Sequence, residues 1–380
     1  MTSSTRSAVL PASAARTVPF LNFPAQYEEE RVELTAVIER VFARGDFVGG
    51  ADIEAFEHEV AAYTGAAYAI ALNSGTDALV YGLSALGLSA GDEVITPSNS
   101  FVASTAAIAH VGATPVFADV LDDQMLDPAA VLAAITPRTK AIMPVHLTGR
   151  VAAMGELAAI ARAHHLAIIE DAAQSFGSKL DGKFAGMLGD VGAFSAHPLK
   201  NLNAAGDAGF VLTQDAAVAE RIRGMRNHGF RDRDTALRFG FVSRMDTLQA
   251  AVLRMRLPRV AGVVARRRAN AVRYDALLDR THVFVPNDSP QMFNTYHLYV
   301  VQVERRDELQ AFLTSRGIST KVHYPIPIHL QPAAEHLGYA RGSLPVTERQ
   351  ADRILSIPIN QFLTPDDIAY VAAAFNEFYA

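Results

Sequence analysis

Short apolar runs alternate with longer amphipathic stretches between residues 66 and 213, and this alternation constrains the fold more than any other feature of the sequence. The apolar runs are the predicted strands, at Ala67–Leu72, Glu93–Thr96, Thr114–Ala118, Lys140–Val145, Leu166–Glu170, Val191–Ser195 and Gly209–Leu212. Helical patterns lie between several of them, at Ala78–Leu86, Val102–Val111, Pro128–Ile135 and Ala152–His164. Because strands that alternate with helices form a mainly parallel sheet covered on both faces, we predict an α/β protein.

The pattern changes after about residue 250. The elements predicted around and beyond that point are a long helical stretch from Ser243 to Leu278, a strand at Tyr299–Val303, a helix from Arg306 to Arg316 and a last helix from Pro365. They indicate a smaller α+β domain. We therefore expect a flexible N-terminal tail over residues 1–17, a large domain over 18–250 and a small C-terminal domain over 251–380.

Composition excludes several classes of protein. Lysine and arginine total 34 against 40 acidic residues, and this net charge of −6 argues against a dedicated nucleic-acid binder. With no cysteine there is no disulfide, no thiol nucleophile and no thiolate metal site. No signal-peptide or membrane-spanning pattern is found, and the histidines lack H-E-x-x-H spacing. We expect a cytoplasmic protein with no metal centre.

Gly87-Leu-Ser89-Ala-Gly91 matches the G-x-S-x-G pattern of serine hydrolases. That nucleophile requires a strand before the serine and a helix after it. Here a predicted helix precedes Ser89 and a predicted strand follows it. We therefore interpret this segment as an ordinary turn rather than a hydrolase site.

The segment Asn73-Ser74-Gly75-Thr76-Asp77 directly follows a predicted strand and begins a predicted helix. Free N–H groups and the positive end of the helix dipole make such a place an anion site. Taken alone, the segment is better explained as an ordinary N-cap formed by Ser74 or Thr76.

Two other strand ends carry charged residues. Glu170 and Asp171 end an apolar strand, where an acid serves as the counter-ion of a positively charged ligand or as a cap of the next segment. Lys200 follows another strand among apolar neighbours, where desolvation lowers a lysine pKa and allows nucleophilic attack on carbonyls. Taken alone, an ordinary surface lysine would be the favoured interpretation.

These three features lie in chain order on one predicted sheet. Together they provide a phosphate site, a partner for a pyridinium nitrogen and a Schiff-base lysine, which are the requirements of pyridoxal phosphate (PLP). No single feature is decisive, but the combination predicts a PLP enzyme.

From about Val18 to its C-terminus, the sequence resembles the DegT/DnrJ/EryC1/StrS family of fold-type I, PLP-dependent sugar aminotransferases. The resemblance is carried by Gly49-Gly50, Phe56-Glu57, Asn73–Leu79, Asp119, Val145–Leu147, Glu170–Ser175, Ser195–Asn201, Arg226–Gly229, Ser243–Asp246, Leu248–Ala251 and His323–Pro325. It implies a seven-stranded, mainly parallel sheet and a homodimer in which each active site is completed by the partner chain.

The resemblance also implies roles for individual residues. Lys200 is expected to form the Schiff base with PLP and to move the proton between the donor's Cα and C4′ of the cofactor. Asp171 is expected to keep the ring nitrogen protonated. The other implied cofactor contacts are Gly75, Thr76 and Ser195 at the phosphate, Phe101 stacked on the ring and Gln174 at the ring hydroxyl.

The acceptor that the resemblance implies is a keto-sugar, aminated at the expense of an amino acid, with glutamate as the expected donor. Gly206–Gly209 and His329-Leu-Gln-Pro332 resemble members that aminate C3 of a nucleotide-linked keto-hexose. The expected substrate contacts are His329, Tyr324, His197 and Asn99. A 4-keto nucleotide sugar, a sugar phosphate, a keto-cyclitol and a non-catalytic sensor role are the alternatives.

One position departs from the family. Val242 stands where members commonly have an asparagine that reaches the neighbouring chain's PLP phosphate, and Arg244 is the expected replacement donor. The segment from Arg221 to Arg244 carries seven arginines and two acidic residues. It suits an anionic substrate and the donor's carboxylate, or a dimer interface.

Overall fold

The computed structural model describes residues 16–380, and the first fifteen residues of the predicted tail lie outside it. The strands are β1 (Tyr68–Leu72), β2 (Glu93–Pro97), β3 (Thr114–Ala118), β4 (Thr139–Ile142), β5 (Ala167–Asp171), β6 (Lys179–Leu180), β7 (Lys183–Phe184), β8 (Val191–Ser195), β9 (Gly209–Thr213), β10 (Phe230–Asp232), β11 (Thr235–Ala236), β12 (Val283–Phe284), β13 (Met292–Phe293), β14 (Tyr299–Val303) and β15 (Ile354–Ile357). The helices are α1 (Phe23–Arg44), α2 (Ala51–Thr64), α3 (Gly75–Ala85), α4 (Val102–His110), α5 (Pro128–Ala134), α6 (Met154–His164), α7 (Ala216–Met225), α8 (Thr247–Arg256), α9 (Val260–Leu277), α10 (Arg306–Ser315), α11 (Pro345–Arg353) and α12 (Pro365–Tyr379).

Seven strands form one sheet in the order β1-β9-β8-β5-β4-β2-β3. The pairs β2/β3, β2/β4, β4/β5 and β5/β8 are parallel, whereas β9 runs antiparallel to both β1 and β8. The predicted α/β fold with a mainly parallel seven-stranded sheet is therefore confirmed, and each predicted strand is present with its ends shifted by a few residues at most.

Both faces of the sheet are covered by helices, as β1 illustrates. Ile70 and Leu72 pack in one apolar cluster with residues of α3, α4 and α7. Ala69 and Ala71 belong to another cluster, with residues of α2 and α8. Because successive strand side chains point to opposite faces, a continuously apolar strand needs helices on both sides.

A second, smaller sheet lies in the C-terminal part of the chain. Its strands are antiparallel in the order β12-β14-β15, and its core joins Tyr274 of α9, Leu309 of α10 and Phe375 of α12. Val18 belongs to the same core and its N–H donates to the Gly317 carbonyl at 2.9 Å. The first described residues of the predicted large domain thus pack against the C-terminal part.

The long helix predicted from Ser243 to Leu278 is interrupted in the structure. It begins at Thr247, ends as α8 at Arg256, passes through a 3₁₀ turn at Leu257–Arg259 and continues as α9. Pro258 explains the break, because proline lacks a backbone N–H and its ring clashes with the preceding turn. No helix in residues 16–380 is both long and apolar enough to cross a membrane.

Candidate active site

A cavity of about 620 Å³ opens at the sheet edge where β1, β5 and β8 end. Ligands bind at the carboxyl ends of strands in sheets of this kind, because the loops there are free to diverge. The expected site residues that line the cavity are Gly75, Thr76, Phe101, Asp171, Gln174, Ser195, His197, Lys200 and Tyr324. The structure therefore brings together residues from 75 to 324 in the sequence.

The first residues of α3 form an anion cradle in this cavity. Ser74 is the N-cap, and its hydroxyl accepts the N–H of Asp77 at 3.1 Å. The N–H groups at Gly75 and Thr76 lie in the first turn, where a helix has no internal acceptors for them. A Cβ atom on Gly75 would lie only 2.6 Å from Cβ of Ser195, so glycine is required for α3 to meet the end of β8.

The carboxylate of Asp171 is buried at the end of β5 and oriented by two donors. Ser104 Oγ donates to Oδ2 at 2.6 Å and the Ala173 N–H donates to Oδ1 at 3.2 Å. Asp171 has no salt bridge in the part of the chain that the structure describes, and a buried carboxylate of this kind suits a cationic ligand group. Ser104 was not identified from the sequence, although it follows Phe101 at helical i, i+3 spacing.

Lys200 lies beyond the end of β8, in a turn closed by its N–H donating to the His197 carbonyl at 2.8 Å. The surrounding protein desolvates the ammonium group and lowers the pKa of Lys200 to about 8, although the charge of Asp171 opposes this shift. Part of the lysine is therefore an unprotonated amine near neutral pH, the form that reacts with carbonyl groups.

An aromatic wall faces these groups. The rings of Phe101 and Tyr324 lie with centroids 5.8 Å apart, and both line the cavity. The amide of Gln174 is held between the Thr148 N–H, which donates to its Oε1 at 2.7 Å, and the Tyr324 hydroxyl, which its Nε2 approaches at 3.4 Å. Burial raises the pKa of Tyr324, so its hydroxyl stays protonated.

The wall contributed by the C-terminal part is basic, and the sequence analysis missed most of it. Arg267, His297, Lys321 and His323 all line the cavity. Burial and the nearby charge of Lys200 lower the pKa of His323 to about 4 and that of His297 well below its usual value. Both imidazoles are therefore neutral near pH 7. Only His323 was signalled in the sequence, by its place beside Tyr324.

Three expected site residues do not line the cavity of their own chain. His329 is 1% exposed, and its ring nitrogens contact Ser98 Oγ at 2.7 Å and Glu348 Oε1 at 3.1 Å. With both nitrogens engaged, the ring has no free donor or acceptor for a sugar. This buried pairing of the loop after β2 with α11 could not be inferred from local sequence.

The other two are Asn99 and Arg244. Asn99 is buried and its Nδ2 donates to the Gln124 carbonyl at 2.9 Å. Arg244 donates from Nη1 to Asn227 Oδ1 at 3.2 Å. Val242 is exposed and pairs with Asn227 across an isolated antiparallel bridge. Arg244 does not line the cavity of its own chain, and its expected contact with the PLP phosphate of a neighbouring chain stays a prediction.

The segment Gly87–Gly91, which matches the G-x-S-x-G pattern, is a turn between a helix and a strand. Ser89 lies between α3 and β2, and its backbone N–H donates to Asp92 Oδ2 at 2.9 Å. Gly91 has a φ of +94°, which favours glycine at that position. A helix thus precedes Ser89 and a strand follows, the reverse of the order that a nucleophile elbow requires.

The residues of the cavity fit pyridoxal phosphate. The cofactor presents a phosphate, an aldehyde and a basic ring nitrogen, and the cavity offers an anion cradle, a lysine of lowered pKa and a buried carboxylate. The crowding at Gly75 is itself evidence, because it brings backbone N–H groups to the cavity surface. Phe101 supplies an apolar face beside them.

Those three functions meet in one class of enzyme, the fold-type I transferases that depend on PLP. The sequence comparison then defines the family: the chain belongs to the DegT/DnrJ/EryC1/StrS aminotransferase family, whose sequence model matches residues 28–376. It is a PLP-dependent aminotransferase.

Similar proteins extend over almost the whole chain. A dTDP-3-amino-3,4,6-trideoxy-α-D-glucose transaminase from Streptomyces venezuelae is 44% identical, covering 95% of this chain and 96% of the relative. A protein named pleiotropic regulatory protein from Geobacillus stearothermophilus is 40% identical, covering 95% and 98%. The crystal structure of S. venezuelae DesV in complex with a ketimine intermediate superposes with a TM-score of 0.93 at 43% identity, covering 95% and 98%.

Proposed function

We propose that this enzyme transfers an amino group from L-glutamate to a nucleotide-linked 3-keto-6-deoxyhexose. The observation that carries the proposal is the meeting of Lys200, Asp171 and the α3 cradle in one cavity of about 620 Å³. That volume lies within the range of sites that bind small organic molecules. The proposal joins the chemistry of these groups with the likeness to sugar transaminases.

Each group of the cavity has a defined task in this proposal. Bound here, PLP would supply an electron sink for the negative charge that develops at the donor's α-carbon. Asp171 holds the proton on the ring nitrogen, and Gly75 and Thr76 bind the phosphate through backbone N–H groups. Lys200 accepts the proton from the donor's α-carbon and returns it at C4′, a task suited to a pKa of about 8.

The acceptor is assigned from two observations. The S. venezuelae relative is named for a dTDP-linked 3-amino sugar, which favours a nucleotide sugar aminated at C3. In addition, Arg231 and Arg233 of the hairpin β10–β11 and Arg238, which follows it, are exposed to solvent. None of these arginines lines the cavity of its own chain. We infer that they bind the substrate's diphosphate at the active site of a second chain.

A homodimer is part of the proposal, and the exposed apolar segment 237–242, which follows the hairpin, supports it. Leu237, Phe239, Phe241 and Val242 are exposed within six residues. Phe47 and Val48, beyond the end of α1, are exposed as well. Exposed apolar groups at this density are typical of protein interfaces. A second copy of the chain is the partner that the family resemblance implies.

A second candidate function is regulatory, since one relative is named as a pleiotropic regulatory protein. A protein that only binds PLP or a sugar nucleotide does not need a lysine amine and a buried carboxylate facing the same cavity. Lys200 and Asp171 therefore favour catalysis. Binding of sugar nucleotides without any amine exchange would favour the regulatory role instead.

The proposal is tested with the PLP-loaded protein. We expect its visible absorbance band to shift to the ultraviolet on addition of L-glutamate, and to return when the keto-sugar is added. Lys200→Ala should abolish turnover, whereas Lys183→Ala, which changes an exposed lysine on β7, should leave it intact. Retained turnover in Lys200→Ala would contradict the assignment. A panel of 3-keto and 4-keto nucleotide sugars, sugar phosphates and keto-cyclitols identifies the acceptor.

A further inference from the structure

Arg267 on α9 is a buried arginine that has no carboxylate partner within residues 16–380. Its side chain borders the large cavity together with Lys200, and the residue is only 3% exposed. Its Nη1 donates to the carbonyls of Tyr296 and His297, at 3.2 and 3.1 Å, but its Nε has no hydrogen-bond partner among residues 16–380. Burial lowers the pKa of Arg267 to about 10, so the group is still a cation near pH 7.

Two other arginines of this chain with little exposure do have a carboxylate partner. Arg150 is also buried, and its guanidinium lies 2.6 Å from the carboxylate of Asp288. Arg256 is likewise paired with Glu30, at 2.7 Å. The desolvation of a guanidinium is costly, and an anionic partner is the usual compensation. Arg267 lacks such a partner in the described part of the chain, and it faces a ligand cavity.

The groups around Arg267 also point to an anion. His297 lines the cavity beside it, and the Nδ1 of its buried imidazole has no hydrogen-bond partner in the described residues. Lys200 and Arg267 both lower the pKa of His297, which places both cations near that ring. Lys321 and His323 complete this wall, and the carboxylates of the lining are Asp171 and Asp207.

We propose that Arg267 binds the α-carboxylate of the amino donor, with Nδ1 of His297 as a second contact. The assignment rests on the proposed aminotransferase function and names the part of the site that recognises the donor. An α-carboxylate is attached to the carbon whose proton Lys200 moves, so it must lie close to Lys200. Arg267 is a buried cation that lines the same cavity as Lys200 and, like Lys200, lies near His297. A guanidinium pairs with a carboxylate through two parallel hydrogen bonds.

Other cations suit this task less well. Lys321 is exposed, and water screens the attraction of an exposed charge. The arginines between Arg221 and Arg244 do not line the cavity of their own chain. The competing explanation is that Arg267 has only a structural role, in which its hydrogen bonds hold the backbone at residues 296–297. Its Nε would then be hydrated in the small cavity of about 40 Å³ that Arg267 also borders.

Binding to the PLP-loaded protein separates these explanations. The probes are α-methyl-L-glutamate, which carries the α-carboxylate but no α-proton, and 4-aminobutyrate, which lacks the α-carboxylate. Calorimetry gives the dissociation constant of each probe. Arg267→Gln should weaken the binding of α-methyl-L-glutamate by on the order of 100-fold, the usual cost of removing one partner of a buried charge pair. Binding of 4-aminobutyrate should change by less than about threefold, well under the tenfold that 1.4 kcal/mol represents.

Two further variants control for structural damage. Arg268→Gln removes the neighbouring arginine, which donates to the Asn294 carbonyl at 2.7 Å but does not line either cavity. It should bind both probes like the wild type. Arg267→Lys keeps the charge and should recover part of the lost affinity for α-methyl-L-glutamate. Equal weakening of both probes, or no weakening of either, would overturn the assignment.

A failure of the proposed function would give results different from a failure of the carboxylate site. If the unchanged protein shows no amine exchange with any amino acid but still loses α-methyl-L-glutamate binding in Arg267→Gln, the carboxylate site stands and the aminotransferase function falls. If amine exchange occurs and both probes respond equally to Arg267→Gln, the function stands and the carboxylate site falls.

Discussion

The hydroxyl of Ser104 donates a 2.6 Å hydrogen bond to the carboxylate of Asp171, and both side chains are buried. Ser100 adds a second hydrogen bond to this series, because its hydroxyl donates to Ser104 Oγ at 2.8 Å. Ser104 lies on α4, and Phe101 is the N-cap of that helix. One helix therefore positions both the carboxylate expected at the cofactor's ring nitrogen and the aromatic ring expected to stack on the cofactor.

The Ser104 contact predicts that Ser104→Ala weakens PLP binding by about 10- to 100-fold, the range that corresponds to a hydrogen bond to a charged group. The carboxylate of Asp171 would lose the donor that sets its direction. Titration of the cofactor-free protein with PLP, followed by absorbance, measures the effect. Ser89→Ala is the matched control, because Ser89 lies in an exposed turn and does not line the cavity, and it should bind PLP normally. Wild-type affinity in Ser104→Ala would refute this role.

A second prediction concerns the crowded start of α3. Gly75→Ala places a methyl group 2.6 Å from Ser195 Cβ, and either α3 or the end of β8 must move. We expect the free energy of unfolding to fall by about 1–3 kcal/mol, the usual cost of overpacking, and PLP binding to weaken because the anion cradle is displaced.

The control for this change is Gly155→Ala, near the start of α6, where a new Cβ meets nothing within 4 Å. There the free energy of unfolding should rise by up to about 1 kcal/mol, because alanine favours helix more than glycine does. Denaturant unfolding of both variants without cofactor tests the pair. Similar behaviour of the two variants would mean that α3 does not depend on its contact with β8.

The lowered pKa of Lys200 predicts how stability depends on pH in the cofactor-free protein. Its pKa is about 8 in the folded chain and 10.5 as an ordinary lysine. Between these values the unfolded chain binds more protons than the folded one, so the free energy of unfolding rises with pH from 8 to 10.5. Lys200→Met should remove that rise, and Lys183→Met should retain it. An identical pH profile in wild type and Lys200→Met would contradict the shift.

The exposed apolar segment 237–242 predicts a dimer that one substitution weakens. Phe239→Asp places a charge in the proposed interface, and we expect the dimer dissociation constant to rise by on the order of 100-fold, as for a central interface residue. Sedimentation velocity over a range of concentrations measures this change. Leu132→Asp, which alters an exposed leucine on α5, should leave the dimer intact. A monomeric wild type, or an unchanged dimer dissociation constant in Phe239→Asp, would contradict the proposal.

Local sequence patterns were sufficient for the central sheet. Runs such as Val191–Ser195 are apolar on both faces, and only a strand covered by helices on both sides accommodates them. Local patterns failed at Pro258. The helical pattern continues through this residue, but the structure forms a 3₁₀ turn there. The helices α1, α2, α7 and α11 were not predicted, and the domain boundaries and site roles stay predictions.

By itself the sequence determined the sheet, the positions of Asp171 and Lys200 at strand ends and the membership of the aminotransferase family. These follow from short-range periodicity and from motifs contiguous in the chain. The tertiary structure alone decided which distant side chains meet them: Arg267 and His297 enter the cavity, whereas His329 leaves it to pair with Ser98, 231 residues away. The reason is physical, since burial and hydrogen bonding of a side chain depend on neighbours that only folding brings together.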